Sequence, residues 1–110
     1  MPNVDGGKTI RIILRDCVTN LSDVETADWT IRSLCRFLNM TQIGEPFAQA
    51  IPPGLSCGLI IAESHLFIHT WPESSSVRVV IDSCVDFDHN AAAEWLKDVY
   101  GADRYEYSLA

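Results

Sequence analysis

Two apolar runs, residues 58–62 and 66–68, flank three consecutive polar residues, Glu63-Ser64-His65. Runs this short, rich in isoleucine and interrupted by polar residues, read as strands rather than helices. The chain must therefore bring two strands together at a polar junction near the centre of the molecule. A carboxylate, a hydroxyl and an imidazole buried there carry a desolvation cost unless they are paired. The stretch 63–73 is accordingly where chemistry is sought first.

The flanking sequence supplies the rest of a sheet and its cover. In residues 10–15, Ile10, Ile12 and Leu14 fall on one face and the arginines on the other, as in a half-buried strand. Ser22 and Glu25 have capping-box spacing, which predicts a helix start. Val24, Ala27, Ile31, Leu34, Cys35 and Leu38 then form an apolar stripe to about Asn39, widened by Trp29 and Phe37. A weaker strand runs from residue 41 toward Phe47, and Ile51-Pro52-Pro53-Gly54 interrupts regular structure. Further strands are predicted over 56–62, 66–71 and 77–82, with Pro72 and Ser74-Ser75-Ser76 turning the chain between the last two. Asp86 or Asp88 can cap a second helix, whose stripe is Ala92, Trp95, Leu96 and Val99 and whose end is Gly101. Residues 104–109 alternate and close the sheet, while residues 1–8 read as a loose end. The order β-α-β-β-β-β-α-β is that of an α+β two-layer sandwich, a mostly antiparallel sheet with two helices on one face. At 110 residues the chain forms one domain, 1–110.

Composition excludes several functions. A net charge of -7 opposes nucleic acid as a partner and suits a small cationic ligand. No apolar run approaches the ~20 residues of a membrane span, and the N-terminus lacks a secretory pattern, so a cytoplasmic protein is expected. Cys17, Cys35, Cys57 and Cys84 form no Cys-x-x-Cys pair and are expected to be reduced thiols.

Three groups of residues can carry chemistry. His65 and His69 are four apart, but along a strand that separation is roughly 13 Å, too far to share one metal, and no metal site is expected. Ser64 and His69 fall on opposite faces of an unbroken strand and can meet only if it bends near Glu63-Ser64. Without that bend, Ser64 is a turn residue and both histidines are satisfied core or surface groups. Cys84 ends a strand near Asp82 and Asp86, whose charges would keep a thiol protonated. It is either a proton donor or a packing residue.

Residues 62–73 read Ala62-Glu63-Ser64-His65-Leu66-Phe67-Ile68-His69-Thr70-Trp71-Pro72-Glu73. The segment resembles the signature Glu-Ser-His-Leu-x-Ile-His-Thr-Trp-Pro-Glu of the bacterial and archaeal S-adenosylmethionine decarboxylases, matching every fixed position, and Cys84 follows at the family's distance. The resemblance implies self-cleavage between Glu63 and Ser64, giving a β chain 1–63 and an α chain 64–110. Ser64 then becomes a pyruvoyl group, a covalent cofactor that forms a Schiff base with an amino-acid-type small molecule and drives decarboxylation for spermidine synthesis. It also implies His69 as the acid/base group of processing, Ser56 as its support, Cys84 as a proton donor, and Leu66, Trp71 and Glu73 as substrate-binding residues. A homodimer of such protomers is implied, with the active sites close to the interface.

Some positions depart from that family. Ala50 stands where most members carry an aromatic residue, Ser74-Ser75-Ser76 replaces Tyr-Gly-Tyr, Asp82 occupies a typically apolar position, Val85 replaces a glycine, and the chain stops early. The rival readings are the same machinery acting on arginine or ornithine, favoured by Ala50 and Asp82, and a fold-retaining paralogue that never processes.

Overall fold

The computed structural model describes residues 7–109. Most of the expected loose end therefore lies outside the described residues, and Lys8 already belongs to the first strand. In chain order the elements are β1 (Lys8–Arg15), α1 (Val24–Phe37), β2 (Gln42–Ile51), β3 (Gly54–Ile61), β4 (Ser64–Trp71), a 3-10 turn (Pro72–Ser74), β5 (Ser76–Ser83), α2 (His89–Tyr100) and β6 (Arg104–Leu109). The six strands form one sheet in the order β2-β3-β4-β5-β1-β6, and every neighbouring pair is antiparallel. This is the expected α+β sandwich.

Alternation decides which face is covered. Ile10, Ile12 and Leu14 of β1, Cys57, Leu59 and Ile61 of β3, Leu66 and Ile68 of β4, and Val77, Val79 and Ile81 of β5 are all buried. They share one core with Ile31 and Leu34 of α1 and Ala92 and Leu96 of α2. The residues between them, among them His65, Phe67, His69, Arg78, Val80 and Asp82, point to the opposite face, where the described residues place no helix. Gly58 makes room on that open face. A Cβ there would lie 2.6 Å from the Phe67 ring and 2.7 Å from that of Phe47, and the two rings meet edge to face above it at 5.6 Å.

Local differences from the sequence reading have simple causes. The cap of α1 is Asp23, not Ser22: its carboxylate accepts from the Glu25 amide and the Thr26 hydroxyl at 2.5 Å. The Ser22 hydroxyl instead donates to the Pro53 carbonyl. Asp88, not Asp86, caps α2 by accepting from the Ala91 amide, because Asp86 is paired with Lys8 at 2.9 Å. Trp29 and Phe37 do not widen the buried stripe. They stay about half exposed and flank Trp95 of α2 in a surface stack.

Candidate active site

The junction 63–64 is a hairpin tip at one end of the sheet rather than a buried bend. Ala62 and Glu63 form the two-residue loop between β3 and β4, with Ile61 opposite Ser64. Two-residue hairpins usually take their twist from positive φ within the loop. Neither loop residue has one here, and Ser64 carries φ 156° instead. An L residue held there stores roughly 1–3 kcal/mol of strain, placed at the bond that the sequence singles out.

That distortion also redirects the Ser64 side chain. By alternation it belongs with Leu66 and Ile68 on the helix side. Its hydroxyl nevertheless donates to Asp82 Oδ2 at 2.8 Å and lies 3.1 Å from His65 Nδ1, both on the open face. The hydroxyl has one hydrogen, and the shorter contact takes it. His65 Nδ1 therefore carries the proton that points at Ser64 Oγ. The other oxygen of Asp82 accepts from the Thr9 hydroxyl at 2.6 Å. Burial works to raise the Asp82 pKa, but hydrogen bonds from Thr9 and Ser64 and the charge of His65 outweigh it and hold the carboxyl below its usual range.

Glu63 is held twice. Its side chain accepts from the Thr41 amide at 3.0 Å, and its carbonyl accepts from the Cys84 amide at 2.9 Å. A fixed N–H on a carbonyl is the donor needed if that oxygen gains negative charge. Cys84 itself is buried, directly after Ser83, whose backbone pairs with Ser64. The two carboxylates near it in sequence are engaged elsewhere, Asp82 as above and Asp86 by Lys8.

His69 occupies the other end of β4. The strand is unbroken, so it lies five residues from Ser64, roughly 16 Å, and the two do not meet within the chain. Instead, His69 Nδ1 lies 2.8 Å from Ser56 Oγ on β3, and its ring stacks on Phe67 at 5.4 Å. Burial and the charge of Arg78 hold the His69 pKa below its ordinary value, which favours the neutral imidazole. A cleft of about 220 Å³ opens beside it, lined by Ile51, Pro53, Ser56, His69, Trp71 and Glu73. His65 and His69 thus take separate partners, and the described residues hold no group of three or more His, Cys, Asp or Glu placed to bind a metal.

The family described as S-adenosylmethionine decarboxylase matches residues 10–110. The chain belongs to that family. An S-adenosylmethionine decarboxylase proenzyme of Pseudomonas paraeruginosa is 37% identical over 101 residues, covering 90% of this chain and 63% of the relative. One from Clostridium botulinum is 35% identical over 83 residues, 72% of each chain. The chain thus spans about 63% of the length of relatives such as the first. The crystal structure of the adenosylmethionine decarboxylase from Aquifex aeolicus superposes with a TM-score of 0.82 at 22% identity, covering 94% of this chain and 88% of that one, a likeness of fold.

The residues that the resemblance names fall into two clusters. Glu63, Ser64 and Cys84 gather at the hairpin tip, while Ser56, His69, Trp71 and Glu73 gather at the far end. Leu66 is fully buried with its side chain in the core, so only its backbone can face a ligand. Ala50 pairs with Leu55, and the aromatic surface of the open face comes from Phe47, Phe67 and Trp71. The sequence reading missed Thr9 and the pairing of His65 and Asp82 with Ser64. The signal was the carboxylate of Asp82 beside Val80 on the open face of β5, but its partner at position 9 is distant in sequence and invisible to local pattern.

Proposed function

We propose that the chain cleaves itself between Glu63 and Ser64 and then acts as a pyruvoyl-dependent decarboxylase of S-adenosylmethionine. One observation carries this reading: the Ser64 hydroxyl sits at a strained hairpin tip beside a carbonyl already held by the Cys84 amide. Attack of Ser64 Oγ on that carbonyl converts the Glu63–Ser64 amide to an ester, and holding both groups in place removes most of the orientational barrier. The Cys84 N–H stabilises the oxyanion as it forms. Cleavage leaves chains 1–63 and 64–110 of one domain. The pyruvoyl group derived from Ser64 supplies an electron sink for loss of CO2 from an amino acid. The Cys84 thiol delivers a proton to the carbon that lost CO2.

His69 and Ser56 serve this site from a second copy of the chain. Within one protomer they lie roughly 16 Å away. Two open faces packed about a two-fold axis, with their β4 strands antiparallel, set the His69 end of one over the Ser64 end of the other. The partly exposed Phe47 and Ile60 give that face apolar surface to bury. The small cleft at His69, below the ~300 Å³ of an ordinary ligand pocket, then becomes one wall of a shared substrate site, with Trp71 and Glu73 in reach. The four cysteines are free thiols, which fits a cytoplasmic enzyme.

Mass spectrometry of the purified protein should show two fragments divided between residues 63 and 64, the second beginning with pyruvate. Ser64→Ala should remain whole. Release of CO2 measured side by side from S-adenosylmethionine, arginine and ornithine assigns the substrate, and turnover of either basic amino acid in preference to the first would overturn that part of the reading.

A further inference from the structure

The family signature accounts for Ser64, His69 and Cys84 but leaves a second set of polar residues at the hairpin tip without a role. Thr9, His65 and Asp82 come from β1, β4 and β5; His65 and Asp82 reach Ser64 Oγ, and Thr9 holds Asp82 from the other side. A hydroxyl is a weak nucleophile unless a base takes its proton, and a base must lie within hydrogen-bond reach to do so. Within one protomer His69, the acid/base group that the signature names, is five residues away along an unbroken strand, and the His69 that a second copy brings to the site is left to the elimination that follows ester formation.

The geometry points to Asp82 as the catalytic base for the first step of self-cleavage, a deduction that rests on the proposed processing of Ser64. Its Oδ2 receives the Ser64 hydroxyl hydrogen at 2.8 Å. Its Oδ1 is fixed by the Thr9 hydroxyl at 2.6 Å, so the carboxylate is turned with one oxygen on the nucleophile and one on an anchor. This is the arrangement of nucleophile, base and orienting group that acyl transfer requires. His65 Nδ1, 3.1 Å from Ser64 Oγ, fixes the oxygen from another side and steadies the charge it acquires. The register makes these meetings possible: His65 is opposite Asp82 across β4 and β5, and Thr9 is opposite Asp82 across β1 and β5.

The step balances within the chain. The proton of Ser64 Oγ passes to Asp82 Oδ2 as the Oγ–C bond to Glu63 forms, and the carbonyl oxygen becomes an oxyanion on the Cys84 amide. When the C–N bond breaks, the same proton passes from Asp82 to the departing Ser64 nitrogen. The product is an ester with a free amine, an isomer of the starting peptide, and no oxidant, reductant or water is consumed.

The test follows the full-length chain made by cell-free translation, so that cleavage is timed from synthesis, with and without hydroxylamine, which traps an ester as the Glu63 hydroxamate. Asp82→Asn is nearly isosteric and cannot take a proton. It should slow cleavage at least about a hundredfold, in line with the usual contribution of a general base, and should yield no hydroxamate. Asp82→Glu, which restores a carboxylate, should recover part of the rate. Circular dichroism and melting against uncut Ser64→Ala control for folding, and if Asp82→Asn does not fold, Asp82→Glu decides: it supports the assignment by cleaving and overturns it by staying whole while folded. Wild-type cleavage with an Asp82→Asn chain that is cut equally fast, or that accumulates the ester, overturns the assignment alone. A wild-type chain yielding neither fragments nor hydroxamate overturns the processing reading and the assignment with it.

Discussion

Ser64 shows how one backbone angle can redirect chemistry. Side-chain alternation would hide its hydroxyl under the helices, yet its φ of 156° turns the oxygen toward Asp82 on the open face. Cys84 meets the same junction through its backbone, since its amide holds the Glu63 carbonyl. Its amide remains in any side-chain variant, which separates two functions. Cys84→Ala should therefore cleave normally and lose most of its decarboxylase turnover, compared by fragment mass and CO2 release; a variant that stays whole would show the thiol acting in cleavage. His69 is tuned in a different way. Burial and the Arg78 charge hold its folded pKa below the ordinary value of about 6.5, so the fold favours the neutral ring. That preference is in full force above about pH 6.5 and is lost as pH falls through the depressed value. Activity that depends on neutral His69 should stay level down to about pH 6.5 and decline only below it, and Arg78→Gln should shift the decline to higher pH. Rate profiles of both proteins across the acid range check this.

Among the elements, the β3–β4 hairpin and the cap of α2 do the positioning. The hairpin needs Gly58, because any side chain there would meet the rings of Phe47 and Phe67 within 3 Å. Gly58→Ala should cost about 1–3 kcal/mol through overpacking and disturb the stack that supports His69, read by thermal melting. At α2, Asp88 accepts from the Ala91 amide and keeps the helix start close to Cys84. Asp88→Ala should lower stability by about 1 kcal/mol, as loss of an N-cap does. Asp86→Ala removes a pairing with Lys8 whose carboxylate is largely exposed and should cost less in the same melting experiment.

Among the described residues one sheet face is covered by helices and the other is open, and the residues that the resemblance names are divided between the two ends of the sheet. That division predicts complementation between inactive chains. In the proposed processing, Ser64→Ala lacks the attacking oxygen, and His69→Ala lacks the group that serves the elimination after ester formation. In the proposed two-fold pairing, co-expression gives mixed pairs in which an intact His69 faces an intact Ser64. The His69→Ala chain should then split while the Ser64→Ala chain stays whole, distinguished by fragment mass. Failure of either chain to split when mixed would place both groups in one protomer.

Most of the architecture was legible in the linear pattern. Alternation at Ile10, Ile12 and Leu14 and the helical stripe at Ala27, Ile31 and Leu34 specify their elements locally, because burial of one face repeats with the period of the backbone itself. The signature from Glu63 to Glu73 likewise marks the stretch on which the proposed chemistry is built. Tertiary structure alone decided which polar groups touch. Strand register set Thr9, His65 and Asp82 around Ser64, and the straightness of β4 held His69 away from it. Contacts between residues 9 and 82 depend on how separate strands align, and that alignment is settled by packing of the whole core rather than by any neighbourhood along the chain.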